Sequence, residues 1–156
     1  MNNILCIGLT KARITVVMFL LCFCAVNAQE QGNCEHEIPK KVLKKFKKLK
    51  KKYSTSNLEI LNEIKELAIE NPNYVDPVYF LAEHYKKITF RETKPVRKKK
   101  FIAKTIDYYQ QSVAICPGFS GHLAYYYLGI FYHKYERDLK TSAHYFQDYL
   151  KKENLI

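Results

Sequence analysis

The side chains of this 156-residue chain that could do chemistry are five histidines, five cysteines and a dense set of lysines. His36, His84, His122, His133 and His144 are scattered along the chain. His36 beside Cys34 supplies two donors, whereas a zinc site takes three or four protein ligands. The sequence contains no G-x-S-x-G elbow, no H-E-x-x-H helix, no paired-cysteine motif and no phosphate-binding glycine loop. A convergent nucleophile, base and charge stabiliser are therefore not legible. The expectation is a non-enzymatic protein with no catalytic residue, no metal site and no cofactor.

What remains is charge. The chain carries a formal +11, and nine lysines crowd between Lys40 and Lys52, on three sides of one helix. A second cluster is Lys94, Arg97, Lys98, Lys99 and Lys100. Cationic density of this kind attracts anionic partners in a salt-dependent way. The expected basic patch comprises Lys40, Lys41, Lys44, Lys45, Lys48, Lys52, Arg97, Lys98, Lys99 and Lys100. A solvated face with no partner is the other reading of such a run.

The first 28 residues bear on which anion that would be. Lys11 and Arg13 are their only charges, and an apolar run of 13 residues, Ile14 to Val26, follows. Val26-Asn27-Ala28 then precedes Gln29 in the manner of a signal-peptidase site. Residues 1–28 read as a secretory signal peptide, and the run falls short of the roughly 20 residues of a spanning helix. An uncleaved anchor is the alternative. Leu21 and Phe23 stand where a lipidated Cys22 or Cys24 would need a small residue. The mature chain is expected in the periplasm, at the outer membrane or outside the cell, so anionic lipid or polysaccharide is favoured over nucleic acid. It keeps only Cys34 and Cys116, which could close one disulfide or stay apart.

These residues have to be positioned by helices. After a flexible leader at 29–38, apolar residues recur at helical spacing in six segments, near 39–53, 57–70, 76–88, 97–115, 120–135 and 139–152. Asn71-Pro72 and Cys116-Pro117 end the second and fourth, because a residue before proline is pushed out of the helical region. No stretch alternates long enough for a strand, so the class is all-α.

The segments repeat in pairs. Leu49-Lys50-x-x-Tyr53, Leu81-Ala82-x-x-Tyr85 and Leu128-Gly129-x-x-Tyr132 recur in the odd helices. Ile60…Ile64…Leu67-Ala68…Pro72, Thr105…Tyr109…Ser112-Val113…Pro117 and Ser142…Phe146…Tyr149-Leu150…Asn154 recur in the even ones. With these motifs the chain resembles the tetratricopeptide repeat family, from Pro39 to Asn154. Lys50 and Tyr149 stand where that pattern has small residues. The resemblance implies about three helix-turn-helix repeats in residues 39–156, stacked into a short right-handed α-solenoid. Pro72 to Pro117 is longer than one repeat of about 34 residues, and the excess falls in residues 88–100, expected as a long basic connection.

A solenoid of this kind presents a groove lined by the first helix of each pair. The resemblance places Lys47, Lys51, Tyr79, Glu83, Lys86, Tyr126, Ile130 and His133 on it. Tyr79 and Glu83 occupy positions where some relatives carry a clamp for peptide C-termini, so that mode is not expected. The implied partner is another exported or outer-membrane-associated protein, as in the N-terminal repeat regions of OmpA-like envelope proteins. With no capping helix expected after Lys152, Tyr145, Phe146 and Tyr149 either pack on the fifth helix or offer a surface for self-association.

Overall fold

The computed structural model describes residues 37–154. The segment 1–28 read as a signal peptide, Cys34, His36 and most of the segment 29–38 lie outside the described residues. Six α-helices follow one another: α1 Lys40–Lys52, α2 Leu58–Glu70, α3 Val75–Arg91, α4 Pro95–Ile115, α5 Leu123–Phe131 and α6 Leu139–Lys152. A π-helical turn, Tyr132–Glu136, continues α5. No strand occurs among the described residues.

Local chemistry sets the ends. The Asn57 side chain accepts from the Ile60 N–H at 3.1 Å, and Asp138 accepts from the Thr141 N–H at 3.0 Å; both cap a helix N-terminus. Asn71 donates to the Leu67 carbonyl from both its backbone and its side chain, and Pro72 forbids another turn.

Residues 88–100 correct the expectation of a long connection. α3 continues to Arg91 and α4 starts at Pro95, so only Glu92, Thr93 and Lys94 link them. Pro95 fits a first turn, where its missing N–H costs nothing. The extra length went into helix because it has something to pack on. Thr89 and Thr105 are fully buried against each other, each donating its hydroxyl to a carbonyl one turn back. Beyond them Phe90 meets Phe131 with centroids 6.1 Å apart.

Every substantial backbone contact among these helices joins neighbours in sequence. The repeated positions are the ones that pack. Leu49, Leu81 and Leu128 are buried, as are Ile60, Ile64 and Leu67, and Thr105, Tyr109 and Ser112. Small residues sit where helices come closest. Ala82 is completely buried, and a Cβ on Gly129 would lie 2.7–2.9 Å from the Phe146 ring. Ser142, buried beside that contact, donates to the Gly129 carbonyl at 2.9 Å. On α6 only Ser142 is buried outright. Its Phe146 and Tyr149 rings lie 6.0 and 5.5 Å from Tyr126, and Tyr145 stacks on Tyr132 at 5.6 Å, so these aromatics pack on α5 and its π turn.

Gly129→Ala is expected to destabilise the protein by about 1–2 kcal/mol. The overpacking cost of 1–3 kcal/mol outweighs the better helix propensity of alanine. Urea denaturation followed by circular dichroism checks this, and adding Phe146→Leu is expected to recover most of the loss.

Candidate functional site

Helix α3 has two faces, and their division organises the site. Val78, Leu81, Ala82, Tyr85 and Thr89 are buried. Asp76, Tyr79, Phe80, Glu83, His84 and Lys87 follow the i, i+3, i+4, i+7 rule along a second stripe. This second stripe lines a concave pocket of about 320 Å³. Phe46, Lys50 and Tyr53 of α1 form one wall, and Phe119 and Ser120 of the α4–α5 connection close an end.

The walls are aromatic and mutually braced. Phe46 and Tyr53 meet Phe80 edge-on at 6.0 and 4.8 Å, and Tyr79 meets Phe119 at 5.2 Å. Tyr53 is hydrogen-bonded through its hydroxyl to Nδ1 of the buried His84. Asp76 is half-buried in the first turn of α3, where the helix dipole favours a carboxylate. Burial raises its pKa, against the pull of Lys50 and Lys47. His84 is pushed down from 6.5 to about 4, first by burial and then by Lys65, Lys87 and Lys104. An uncharged imidazole is thus kept at the pocket wall at neutral pH.

Beneath the pocket Glu83 accepts two short hydrogen bonds, from the Lys86 ammonium and the Tyr109 hydroxyl, each 2.6 Å. The Lys86 ammonium also lies 3.3 Å from the Tyr127 ring centroid, a close cation–π contact. Burial and then the Glu83 hydrogen bond drive the Tyr109 phenol pKa far upward.

Of the residues the sequence assigned to a groove, Tyr79 and Glu83 line this pocket, and Lys47 reaches its edge electrostatically through Asp76. Lys86 does not line it. It is 7 % exposed and committed to Glu83 and Tyr127, because position 86 is turned toward α5 whereas Lys87 continues the pocket stripe. Lys51 is exposed on α1. Tyr126, Ile130 and His133 belong to α5 and its π turn and are not among the pocket lining. Sequence reasoning passed over Asp76, Phe80 and His84, although the 76-79-80-83-84-87 spacing was available to find them; Phe46 on α1 carries no comparable signal.

In the basic patch, Lys40, Lys41, Lys44, Lys45, Lys48 and Lys52 are all exposed on α1, and among the described residues only Lys45 of these forms an ion pair, with Glu70 at 3.9 Å. Arg97 pairs with Glu92 at 3.2 Å, and Lys98, Lys99 and Lys100 lie in the first turns of α4, not on a loop. Cys116 is buried and disulfide-bonded, and Cys34 lies outside the described residues. Among the described residues no three His, Cys, Asp or Glu side chains are grouped to hold a metal ion. None of their helices is long and apolar enough to cross a membrane. No protein-family model, curated protein or solved structure matches the chain.

Because the unfolded chain protonates His84 near its ordinary pKa and the folded chain does so only near 4, the unfolded state binds more protons in between. Stability is therefore expected to be full above about pH 6.5 and to fall as pH drops toward 4, by on the order of 2 kcal/mol. Urea midpoints across that range measure it, and His84→Gln is expected to flatten this part of the profile.

Proposed function

We propose that this chain is an exported, non-enzymatic scaffold of the tetratricopeptide type. In this reading three helix pairs, α1–α2, α3–α4 and α5–α6, stack into a short right-handed superhelix that holds another exported or outer-membrane-associated protein. The observation that carries the reading is the pocket between α1, α3 and the α4–α5 connection. It is concave, walled by braced aromatic rings and rimmed by exposed Lys50 and Lys87. Rigid aromatic area with charged groups at its margin suits recognition of a polypeptide surface. The packing of each helix on its sequence neighbours and the burial of the repeated positions support the stacking. The apolar run and Val26-Asn27-Ala28 support export.

Affinity capture from an envelope extract tests this. A defined protein is expected with the wild type, and Lys50→Glu/Lys87→Glu is expected to lower its recovery about tenfold or more, since rim charge reversal acts on encounter and register. No defined protein, or equal recovery by both forms, would refute the scaffold.

A second reading has its own observation. The α1 lysines are exposed and, apart from Lys45, make no ion pair with a described residue, so α1 could hold anionic envelope lipid or polysaccharide. Binding to anionic vesicles is then expected to weaken steeply with added salt. It is expected to vanish when Lys40, Lys41, Lys44, Lys45 and Lys48 become glutamine; cosedimentation reads both effects.

A further inference from the structure

Three lysines converge from three successive helices on the buried pair His84 and Tyr85; Lys65 and Lys104 lie outside both of these surfaces, and Lys87 stands on the pocket rim. Lys65 comes from α2, Lys87 from α3 and Lys104 from α4. The Lys104 ammonium lies 4.9 Å from the Tyr85 ring centroid and donates to the Tyr85 hydroxyl at 3.4 Å. The Lys65 ammonium lies 5.9 Å from the same centroid. The ring beneath them is fixed: Tyr85 is 3 % exposed and stacks on Tyr108 at 5.6 Å with the planes 2° apart. Phe101 stacks nearby at 6.2 Å.

Among the described residues no carboxylate forms an ion pair with Lys65, Lys87 or Lys104. Among the described residues the acidic groups in ion pairs are Glu70, Glu83, Glu92, Asp148 and Glu153, and their partners lie elsewhere. Asp107, one turn along α4 from Lys104, forms no ion pair with it. Among the described residues Lys65 donates to one neutral acceptor, the Asn62 side-chain carbonyl at 3.3 Å. Like charges gathered on a rigid aromatic base repel one another, and an anion between them would replace that repulsion with attraction. The donor set is specific in kind. The Tyr85 oxygen already accepts from Lys104, which leaves its own O–H free to donate. Two ammonium groups and one phenolic O–H suit the several acceptor oxygens of a tetrahedral oxyanion.

We propose that Lys65, Lys104 and the Tyr85 hydroxyl form a binding site for a phosphate or sulfate monoester group, distinct from the α1 lysines and from the pocket. The site does not depend on the scaffold reading, because it needs only the packing of α2, α3 and α4.

Thermal unfolding of the purified protein, with inorganic phosphate against chloride at matched ionic strength, tests the site. Phosphate is expected to raise the wild-type midpoint by about 2–4 °C. Lys65→Gln/Lys104→Gln is expected to lose that rise while keeping the wild-type circular dichroism spectrum, and Lys41→Gln/Lys44→Gln on α1 is expected to keep it. A rise of equal size in all three proteins, or none in the wild type, overturns the proposal. Cosedimentation with phosphatidic acid vesicles separates the sources. Binding lost in the Lys65/Lys104 variant but kept in the α1 variant assigns a lipid headgroup, and a phosphate response with vesicle binding unchanged in that variant assigns a soluble monoester.

Discussion

The Lys86 side chain has almost no access to solvent, and the helices around it are arranged to make that tolerable. Glu83 one turn away accepts from the charge, the Tyr127 ring on α5 lies against it, and the Tyr109 hydroxyl on α4 holds Glu83 in place by donating to the same carboxylate. A charge withdrawn from water must be matched closely or it destabilises the fold. The match here works only if α3, α4 and α5 keep their present spacing. Fixing α3 on that side turns its other stripe, Asp76 to Lys87, toward α1, where it becomes a pocket wall. The interior node and the exposed concavity are two faces of one helix.

The fold was legible where residue type and helical geometry agree. Leu81-Ala82-x-x-Tyr85 and Leu128-Gly129-x-x-Tyr132 mark buried leucines beside small residues, and the structure buries them. Asn71-Pro72 and Cys116-Pro117 mark stops with a steric cause. Residues 88–100 were misread because a lysine-rich stretch around a proline looks like a loop. Pro95 opens a helix instead, and the buried Thr89–Thr105 contact that sustains the extension cannot be seen without knowing that α3 and α4 face each other. For the site, Tyr79 and Glu83 were within reach and Lys86 was not. Adjacent lysines differ by about 100° around a helix, and composition alone does not say which of the two turns inward. The left-handed conformations of Ser120, Gly121 and His122 beside the pocket also have no clear sequence mark, since only one of the three is glycine.

The distribution of charge is uneven in a way that bears on recognition. One lysine is sequestered with its own carboxylate, a row of lysines on α1 stands in solvent, and Lys65 and Lys104 rest on a tyrosine. These are physically different cations. The first is part of the interior, the second is screened by salt, and the third sits over a buried aromatic base that restricts where a counter-charge can settle. A single net charge of +11 describes none of them.

The π turn at Tyr132–Glu136 has its own consequence. Its wider ring, closed by the Arg137 N–H on the Tyr132 carbonyl, takes up one residue more than an α-turn over the same span. At that count Ser142 meets the Gly129 carbonyl, and Gln110 on α4 reaches the hydroxyls of both Tyr132 and Tyr145. Adding or deleting one residue in this turn would move the start of α6 relative to α5 and pull those partners apart. Links between helices ordinarily absorb insertions; this one acts as a length gauge, and the last helix keeps its docking face only while the gauge reads true.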